Sequence, residues 1–200
     1  MAATIIATAH LSLDGVYQGP GRADEDWSGG FDLGGWSASR ADPELQQTLA
    51  GYMSAGWALL AGSRTYRILH ESWPGKQPDS PMTKALTQVD KFVVSHDETL
   101  DLPWANSTLI AGDAIPKIAN LKRERQGALM IFGSGVLVRS LLAHGLIDRL
   151  VLMIHPVILG KGSRLFGGVD HECELQLEGE FASPSGVVVL TYRPKASDGG

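Results

Sequence analysis

The chain has 200 residues, of which 44% are hydrophobic and 20% are charged. This composition is typical of a packed soluble domain, and it excludes a wholly disordered chain or a fibrous repeat. The formal net charge of −5 at pH 7 leaves no general basic field for binding phosphate backbones, so nucleic acid is not an expected partner.

The length favours a single domain, because domains average about 150 residues. We expect this domain to span residues 1–194, with a frayed polar tail at 195–200. Cys173 is the only cysteine, so an internal disulfide is excluded and a reducing, cytoplasmic location is expected. Apolar runs all fall short of the roughly 18 residues of a membrane helix, so no membrane partner is expected.

Apolar runs and amphipathic segments alternate through the first 148 residues. Strands are predicted at 4–9, 57–61, 91–94, 108–111 and 128–132, and helices at 42–55, 113–125 and 136–144. The first helix is expected to begin at a capping Asp42 followed by Pro43. This alternation predicts an α/β domain whose sheet is mostly parallel and is covered by helices on both faces.

After residue 148 the pattern changes to that of antiparallel strands. Strands are predicted at 149–154, 174–181 and 187–192, and the last two are joined by a turn-forming segment at 182–186. The final strand is apolar on both faces between Val187 and Leu190. This pattern predicts burial against a second subunit, and therefore a homodimer.

A long glycine-rich loop is predicted between the first strand and the first helix, at residues 18–35. It carries an acidic trio at 24–26, and it holds or adjoins three aromatic residues, Trp27, Phe31 and Trp36. Loops of this length in compact domains are commonly functional lids, and the aromatic rings can anchor this one.

Two strand-to-helix joins have the composition of phosphate-binding segments. In a parallel sheet, ligands bind beyond the carboxyl ends of the strands, where helix N-termini offer free N–H groups. The first join is Gly62, Ser63, Arg64 and Thr65, the second is Gly133, Ser134, Gly135, Val136 and Leu137, and Ser95 with His96 ends a third strand on the same edge. Each segment by itself is more typical of a capped helix or a tight turn, but together they favour a phosphate-bearing ligand.

Other kinds of catalytic site receive little support. Asp14 is the one candidate catalytic residue, although an aspartate before glycine more often accepts hydrogen bonds from turn amides. The histidines show no metal-binding spacing, so no metal site is expected; they are His10, His70, His96, His144, His155 and His171. The string Gly133-Ser134-Gly135 is not the G-x-S-x-G motif of a nucleophile elbow.

Several segments, taken in chain order, resemble the dihydrofolate reductase superfamily. They are AHLSLDGV at 9–16, LLAGSRTY at 59–66 and FGSG at 132–135. LLAHGLID at 141–148 and PVILGKG at 156–162 are most similar to the branch typified by the C-terminal reductase domain of bacterial riboflavin biosynthesis. Together these segments cover most of the chain from residue 5 to residue 166.

This resemblance implies a three-layer α/β/α domain of dihydrofolate reductase-like fold that transfers a hydride from NADPH. The implied substrate is a small heterocycle, pyrimidine- or pterin-like, or a carbonyl compound, as in 5-amino-6-(5-phosphoribosylamino)uracil reductase. An NADPH-binding sensor without turnover and a purely structural domain are the alternatives.

The resemblance also implies roles for individual residues. Gly62, Ser63, Arg64 and Thr65 would follow the cofactor's phosphates and adenosine side, Ser95 would lie near the 2′-phosphate, and Gly133, Ser134, Gly135, Val136 and Leu137 would surround the pyrophosphate. Ala9, His10 and Tyr17 would lie near the nicotinamide, under a substrate lid of Trp27, Phe31 and Trp36. In this family the glycine turn often contains a cis peptide, here between Gly133 and Ser134.

Two observations bear on the substrate. The acid that holds a pterin ring on the first helix is missing in register, and Glu44 is the only acid nearby, so folate is not the expected substrate. A ribose phosphate would need a compact basic pocket. The candidates for it are Arg22, Arg40, Lys161 and Arg164.

Overall fold

The computed structural model describes residues 2–40, 43–170 and 172–195. The expected cap at Asp42 and all but the first residue of the predicted tail therefore lie outside the described residues. The strands are β1 (Thr4–Ser12), β2 (Trp57–Gly62), β3 (Lys91–Ser95), β4 (Ser107–Ala111), β5 (Ala128–Phe132), β6 (Arg149–His155), β7 (Leu175–Ala182) and β8 (Val188–Pro194).

The helices are α1 (Pro43–Met53), α2 (Ser63–His70), α3 (Pro81–Gln88), α4 (Ala114–Glu124) and α5 (Gly135–Ala143). A π-helical turn, Glu71–Gly75, continues α2, and short 3-10 turns lie at Ser28–Gly30 and Ala38–Arg40. No helix within the described ranges is both long and apolar enough to cross a membrane.

The strands form one mixed sheet in the order β4-β3-β2-β5-β1-β6-β8-β7. The first six strands in this order pair in parallel. β8 runs antiparallel to both β6 and β7, as the sequence predicts. The carboxyl ends of β1 to β6 therefore meet at one edge of the sheet, where a ligand site is expected.

Helices cover both faces of the sheet, because successive residues of each central strand are buried and point to opposite faces. On one face, Ile5 of β1 packs in a cluster with Ile118 of α4 and Leu141 of α5. On the other face, Ile6 packs with Leu45 of α1, and α2 and α3 cover β2 and β3. The result is the three-layer α/β/α arrangement that the sequence predicts.

The apolar face of the last strand has an intramolecular explanation. Val189 is buried in the cluster under α1, and Tyr52 of α1 hydrogen-bonds Thr191 at 2.9 Å. β7 covers the outer edge of β8 and is itself the edge strand, with a shift in pairing register between Leu177 and Gly179. Val187 and Val189 are therefore buried within the chain, whereas Val188 of β8 stays 37% exposed, and the homodimer stays a prediction.

A buried lysine at the start of β3 donates hydrogen bonds to backbone oxygens at the end of α3. Lys91 is fully buried, and its Nζ donates to the backbone oxygens of Leu86 at 2.6 Å and Val89 at 2.8 Å. The same Nζ lies 4.9 Å from the ring centroid of Trp104. Burial lowers the pKa of Lys91 from 10.5 to about 8, because removal from water penalises the charged amine.

This shift predicts a pH dependence of stability above neutrality. The unfolded chain binds the Lys91 proton more tightly than the folded chain, so the free energy of unfolding should rise between pH 8 and pH 10.5. The rise due to this group should reach about 3 kcal/mol. Urea unfolding of the natural protein and of Lys91→Met across this range measures it as the difference in slope. Equal slopes for the two proteins would contradict the assignment.

Candidate functional site

A cavity of about 870 Å³ opens at the carboxyl ends of the parallel strands. Its walls are the end of β1, the joins β2–α2, β4–α4 and β5–α5, the end of β3 and the loop from residue 17 to residue 26. This volume lies within the range of about 300–1,000 Å³ that is typical of ligand sites. The parallel sheet thus opens all of these segments onto one space.

All thirteen residues that the resemblance assigns to a cofactor line this cavity. They are Ala9, His10, Tyr17, Gly62, Ser63, Arg64, Thr65, Ser95, Gly133, Ser134, Gly135, Val136 and Leu137. The β4–α4 join, residues 112–115, also lines the cavity, although it was not among the predicted ligand-binding segments. The glycine of this join, which follows a strand and precedes a helix, was the available signal.

The two phosphate-type joins are tied to each other. The Gly62 N–H donates to Ser134 Oγ at 3.1 Å, across 72 positions of sequence. Gly133 N–H donates to the backbone oxygen of Thr8 at 2.9 Å. No side chain caps the start of α2 or of α5 within the described residues. Both helix starts therefore keep N–H groups for a ligand.

The glycine turn differs from the one that the resemblance implies. Gly133 has φ 73° and Ser134 has φ 54°, and the described residues contain no cis peptide bond. Two successive left-handed residues reverse the chain here, so a trans peptide between them is sufficient. The expectation of a cis peptide bond between Gly133 and Ser134 is therefore wrong.

Arg64 joins the start of α2 to the long loop. Its guanidinium donates to Ser28 Oγ at 3.0 Å and lies 3.6 Å from an Asp26 carboxylate oxygen. The side chain is nevertheless 65% exposed. A ligand phosphate at this helix start could therefore reach the guanidinium, in competition with the loop contacts.

The three aromatic residues of the long loop do not line the cavity. Phe31 and Trp36 are buried against Val16 in a small separate cluster, and Trp36 Nε1 donates to the backbone oxygen of Gln18 at 2.8 Å. Trp27 is 67% exposed. Two of the rings anchor the loop, as the sequence predicts, but the expectation that all three roof a substrate is wrong.

Asp14 also lies outside the cavity wall. It accepts hydrogen bonds from Leu159 N–H at 3.0 Å, Ser12 Oγ at 2.7 Å and Gly160 N–H at 2.9 Å. The bond from Leu159, with that from Ser12, holds the pKa of this carboxyl well below its usual range. The geometry thus favours the structural role of Asp14 over the catalytic one.

The α1 side of the cavity is largely apolar. Leu49 and Met53 project from α1, with Phe132 of β5 and Met153 of β6 beside them. Glu44 is exposed on α1 and does not line the cavity. We call this region the α1 compartment. Its one imidazole is His10, whose Nδ1 lies 2.9 Å from His155 Nε2, a pairing that no local sequence pattern could reveal across 145 residues.

Comparison with known proteins identifies relatives of the whole chain. The family model of the RibD C-terminal domain matches residues 3–189. The uncharacterized protein YyaP of Bacillus subtilis is 25% identical over 193 residues, which cover 94% of this chain and 93% of YyaP.

Solved structures share the fold. A Shewanella sp. PV-4 protein assigned to riboflavin biosynthesis superposes with a TM-score of 0.71 at 22% identity, covering 98% of this chain and 100% of that one. Enterococcus faecalis dihydrofolate reductase, solved with NADP(H), gives 0.62 at 12% identity with the same coverage. The chain therefore has the dihydrofolate reductase-like fold.

The close packing of Tyr17 against Gly135, at the start of α5, can be tested by mutation. A Cβ added to Gly135 would overlap the ring of Tyr17 at Cζ, so Gly135→Ala must displace that ring. We expect a loss of about 1–3 kcal/mol in unfolding free energy, and a clearly smaller loss when Tyr17→Ala is already present. Gly51→Ala in α1, where the added Cβ meets nothing within 4 Å, is the control and should not destabilise. An unchanged loss in the Tyr17→Ala background would contradict this contact.

Proposed function

The chain belongs to the RibD C-terminal domain family, and from that premise we propose that it is an NADPH-dependent reductase of a small heterocyclic or carbonyl substrate. The family and the fold support a reductase role. The observation that carries the cofactor assignment is the pair of uncapped helix starts, α2 and α5, that face one cavity. Such starts bind phosphate groups through their free N–H groups and their positive dipole ends.

The residues present fit a phosphorylated dinucleotide. Gly133 and Gly135 leave backbone accessible at the start of α5, where a pyrophosphate would be bound. Arg64 and Thr65 at the start of α2, with Ser95 at the end of β3, offer a guanidinium and two hydroxyls to a 2′-phosphate. When bound, NADPH supplies the hydride, so the protein needs to provide alignment and exclusion of water rather than a nucleophile.

A second compartment favours turnover over simple cofactor binding. The α1 compartment lies beside the end of β1, where the resemblance assigns the nicotinamide, and it is lined by apolar side chains and by His10. A sensor that only binds NADPH has no need of such a space. Binding of NADPH without oxidation of it by any carbonyl or heterocyclic compound would favour the sensor.

The cofactor proposal predicts a selective effect at Arg64. Arg64→Ala should weaken NADPH binding about tenfold or more, because charge-assisted hydrogen bonds to the 2′-phosphate are lost, and should weaken NADH binding much less. Titration followed by reduced-nicotinamide fluorescence measures both affinities. Arg67→Ala, an exposed arginine of the same helix that does not line the cavity, is the matched control.

Equal losses of NADPH and NADH affinity would place Arg64 away from the 2′-phosphate. Absence of saturable binding of either dinucleotide to the natural protein would contradict the reductase proposal itself.

We also propose that the protein forms a homodimer in a reducing compartment. The exposed Leu177 on the edge strand β7 supports this assembly, because an apolar side chain at a sheet edge favours pairing with a second chain. Light scattering at micromolar concentration should give about twice 21.4 kDa, and a monomeric mass would contradict the proposal.

A further inference from the structure

Two histidines are joined on the α1 side of the sheet. In the pairing of β1 with β6, His10 lies opposite Met153 and Ser12 lies opposite His155, so the two imidazoles are diagonal neighbours. Their ring centroids are 5.1 Å apart, and the His10 Nδ1 to His155 Nε2 distance of 2.9 Å is that of a hydrogen bond. His155 is 1% exposed, and the ring of Trp36 packs edge-on against it at 5.3 Å.

The position of the shared proton follows from the other nitrogen of His155. Within the described residues, His155 Nδ1 is buried and has no hydrogen-bond partner. If His10 donated, a neutral His155 would carry its own hydrogen on Nδ1 and leave a buried N–H without an acceptor. If His155 donates from Nε2, its buried Nδ1 keeps only an unpaired lone pair. A buried N–H without an acceptor is rarer in proteins than a buried acceptor without a donor. The second arrangement is therefore preferred.

Both rings are neutral near pH 7. Burial, with the neighbouring His155, lowers the pKa of His10 to about 4, and burial, with the charge of Arg40, lowers the pKa of His155 to about 4. A neutral His10 that accepts at Nδ1 must carry its hydrogen on Nε2. His10 lines the cavity, and its Nε2 has no protein partner in the described part of the chain. That N–H donor is left for a ligand.

The basic residues that could bind a substrate phosphate are already engaged. Arg22 pairs with Asp24 at 2.8 Å and with Glu71 at 3.2 Å. The other three are tied to the loops: Arg40 donates to the backbone oxygen of Trp36, Lys161 pairs with Asp32, and Arg164 pairs with Asp14. Of these four, only Arg22 lines the cavity. The expected compact basic pocket is not formed by them.

We propose that His10 binds the substrate of this reductase through its Nε2–H, that His155 is the positioning residue that fixes this tautomer, and that the substrate is an uncharged carbonyl or imine-type heterocycle without a phosphate. The inference rests on the proposed function and names its substrate class. The apolar walls of the α1 compartment favour an uncharged ring, and a single fixed donor selects a molecule with an acceptor oxygen or nitrogen.

The same contact has a role during reduction. When the carbon of a C=O or C=N bond accepts a hydride, the electron pair of that bond moves to the heteroatom. The His10 N–H stabilises the negative charge that develops there, and water supplies the proton that completes the product. A neutral donor suits this role because it stays a donor throughout the physiological pH range.

The tautomers can be tested without any substrate. In ¹⁵N-histidine NMR spectra at pH 7, His10 should show a protonated Nε2 and a bare Nδ1, and His155 should show the same pattern. In His155→Phe, the His10 ring should lose this fixed tautomer and show averaged nitrogen shifts. A proton on His10 Nδ1, or a charged His10 at pH 7, would overturn the proposal whatever the cofactor does.

The substrate class is tested with a matched pair of pyrimidines on the NADPH-saturated protein. The probes are 5-amino-6-(5-phosphoribosylamino)uracil and the same compound with a free ribose. The phosphate should improve binding less than threefold. His10→Leu should weaken the free-ribose probe about tenfold, whereas His10→Gln, which keeps an N–H donor, should weaken it much less.

Two results would overturn the proposal: a phosphate preference of tenfold or more, or unchanged probe binding in His10→Leu. Failure of the natural protein to bind NADPH is a separate result. It would contradict the proposed function, whereas the tautomers of His10 and His155 would still be decided by the NMR spectra.

Discussion

The parallel pairing of β1 with β5 on one side and β6 on the other is the constraint on which the rest of the structure depends. A strand in the centre of a parallel sheet is buried on both faces, so helices must cover both. The helices α2, α4 and α5 then begin where β2, β4 and β5 end, at the same edge of the sheet. The shared cavity and the histidine pair follow from that placement, because the end of β1 lines the cavity and carries His10. The start of α5 is tied to β1 as well, since Gly133 N–H donates to the backbone oxygen of Thr8.

Much of the fold could be predicted because strands and amphipathic helices leave local signals. All eight strands agree with the sequence to within a few residues, and the change to antiparallel pairing was signalled by the turn after β7. α3 was missed because its two buried positions are Thr83 and Leu86, and one of these two is polar, so the buried face of this short helix gives no clear apolar stripe. The final strand is ambiguous for a different reason: its apolar pattern indicates burial, but not whether the cover is a helix of the same chain or a second subunit.

The candidate site, like the fold, could be predicted in part. The segments around the two phosphate-type joins could be predicted, since glycine, serine and arginine at strand ends are local patterns and the family resemblance orders them. The orientation of side chains could not. Phe31 and Trp36 turn inward beneath their loop, and nothing in a glycine-rich stretch tells which way a ring will point. The contact of His10 with His155 depends on strand register, which becomes known only when β1 and β6 are paired.

The irregular pairing of the edge strand bears on how readily further strands can add to the sheet. Between Leu177 and Gly179 the register of β7 against β8 shifts, and such a bulge twists a strand and interrupts its regular row of outward N–H and C=O groups. An edge interrupted in this way is a poor template for adding strand after strand. The interruption therefore limits regular strand pairing along β7 to short stretches, beside an edge that carries the exposed side chain of Leu177.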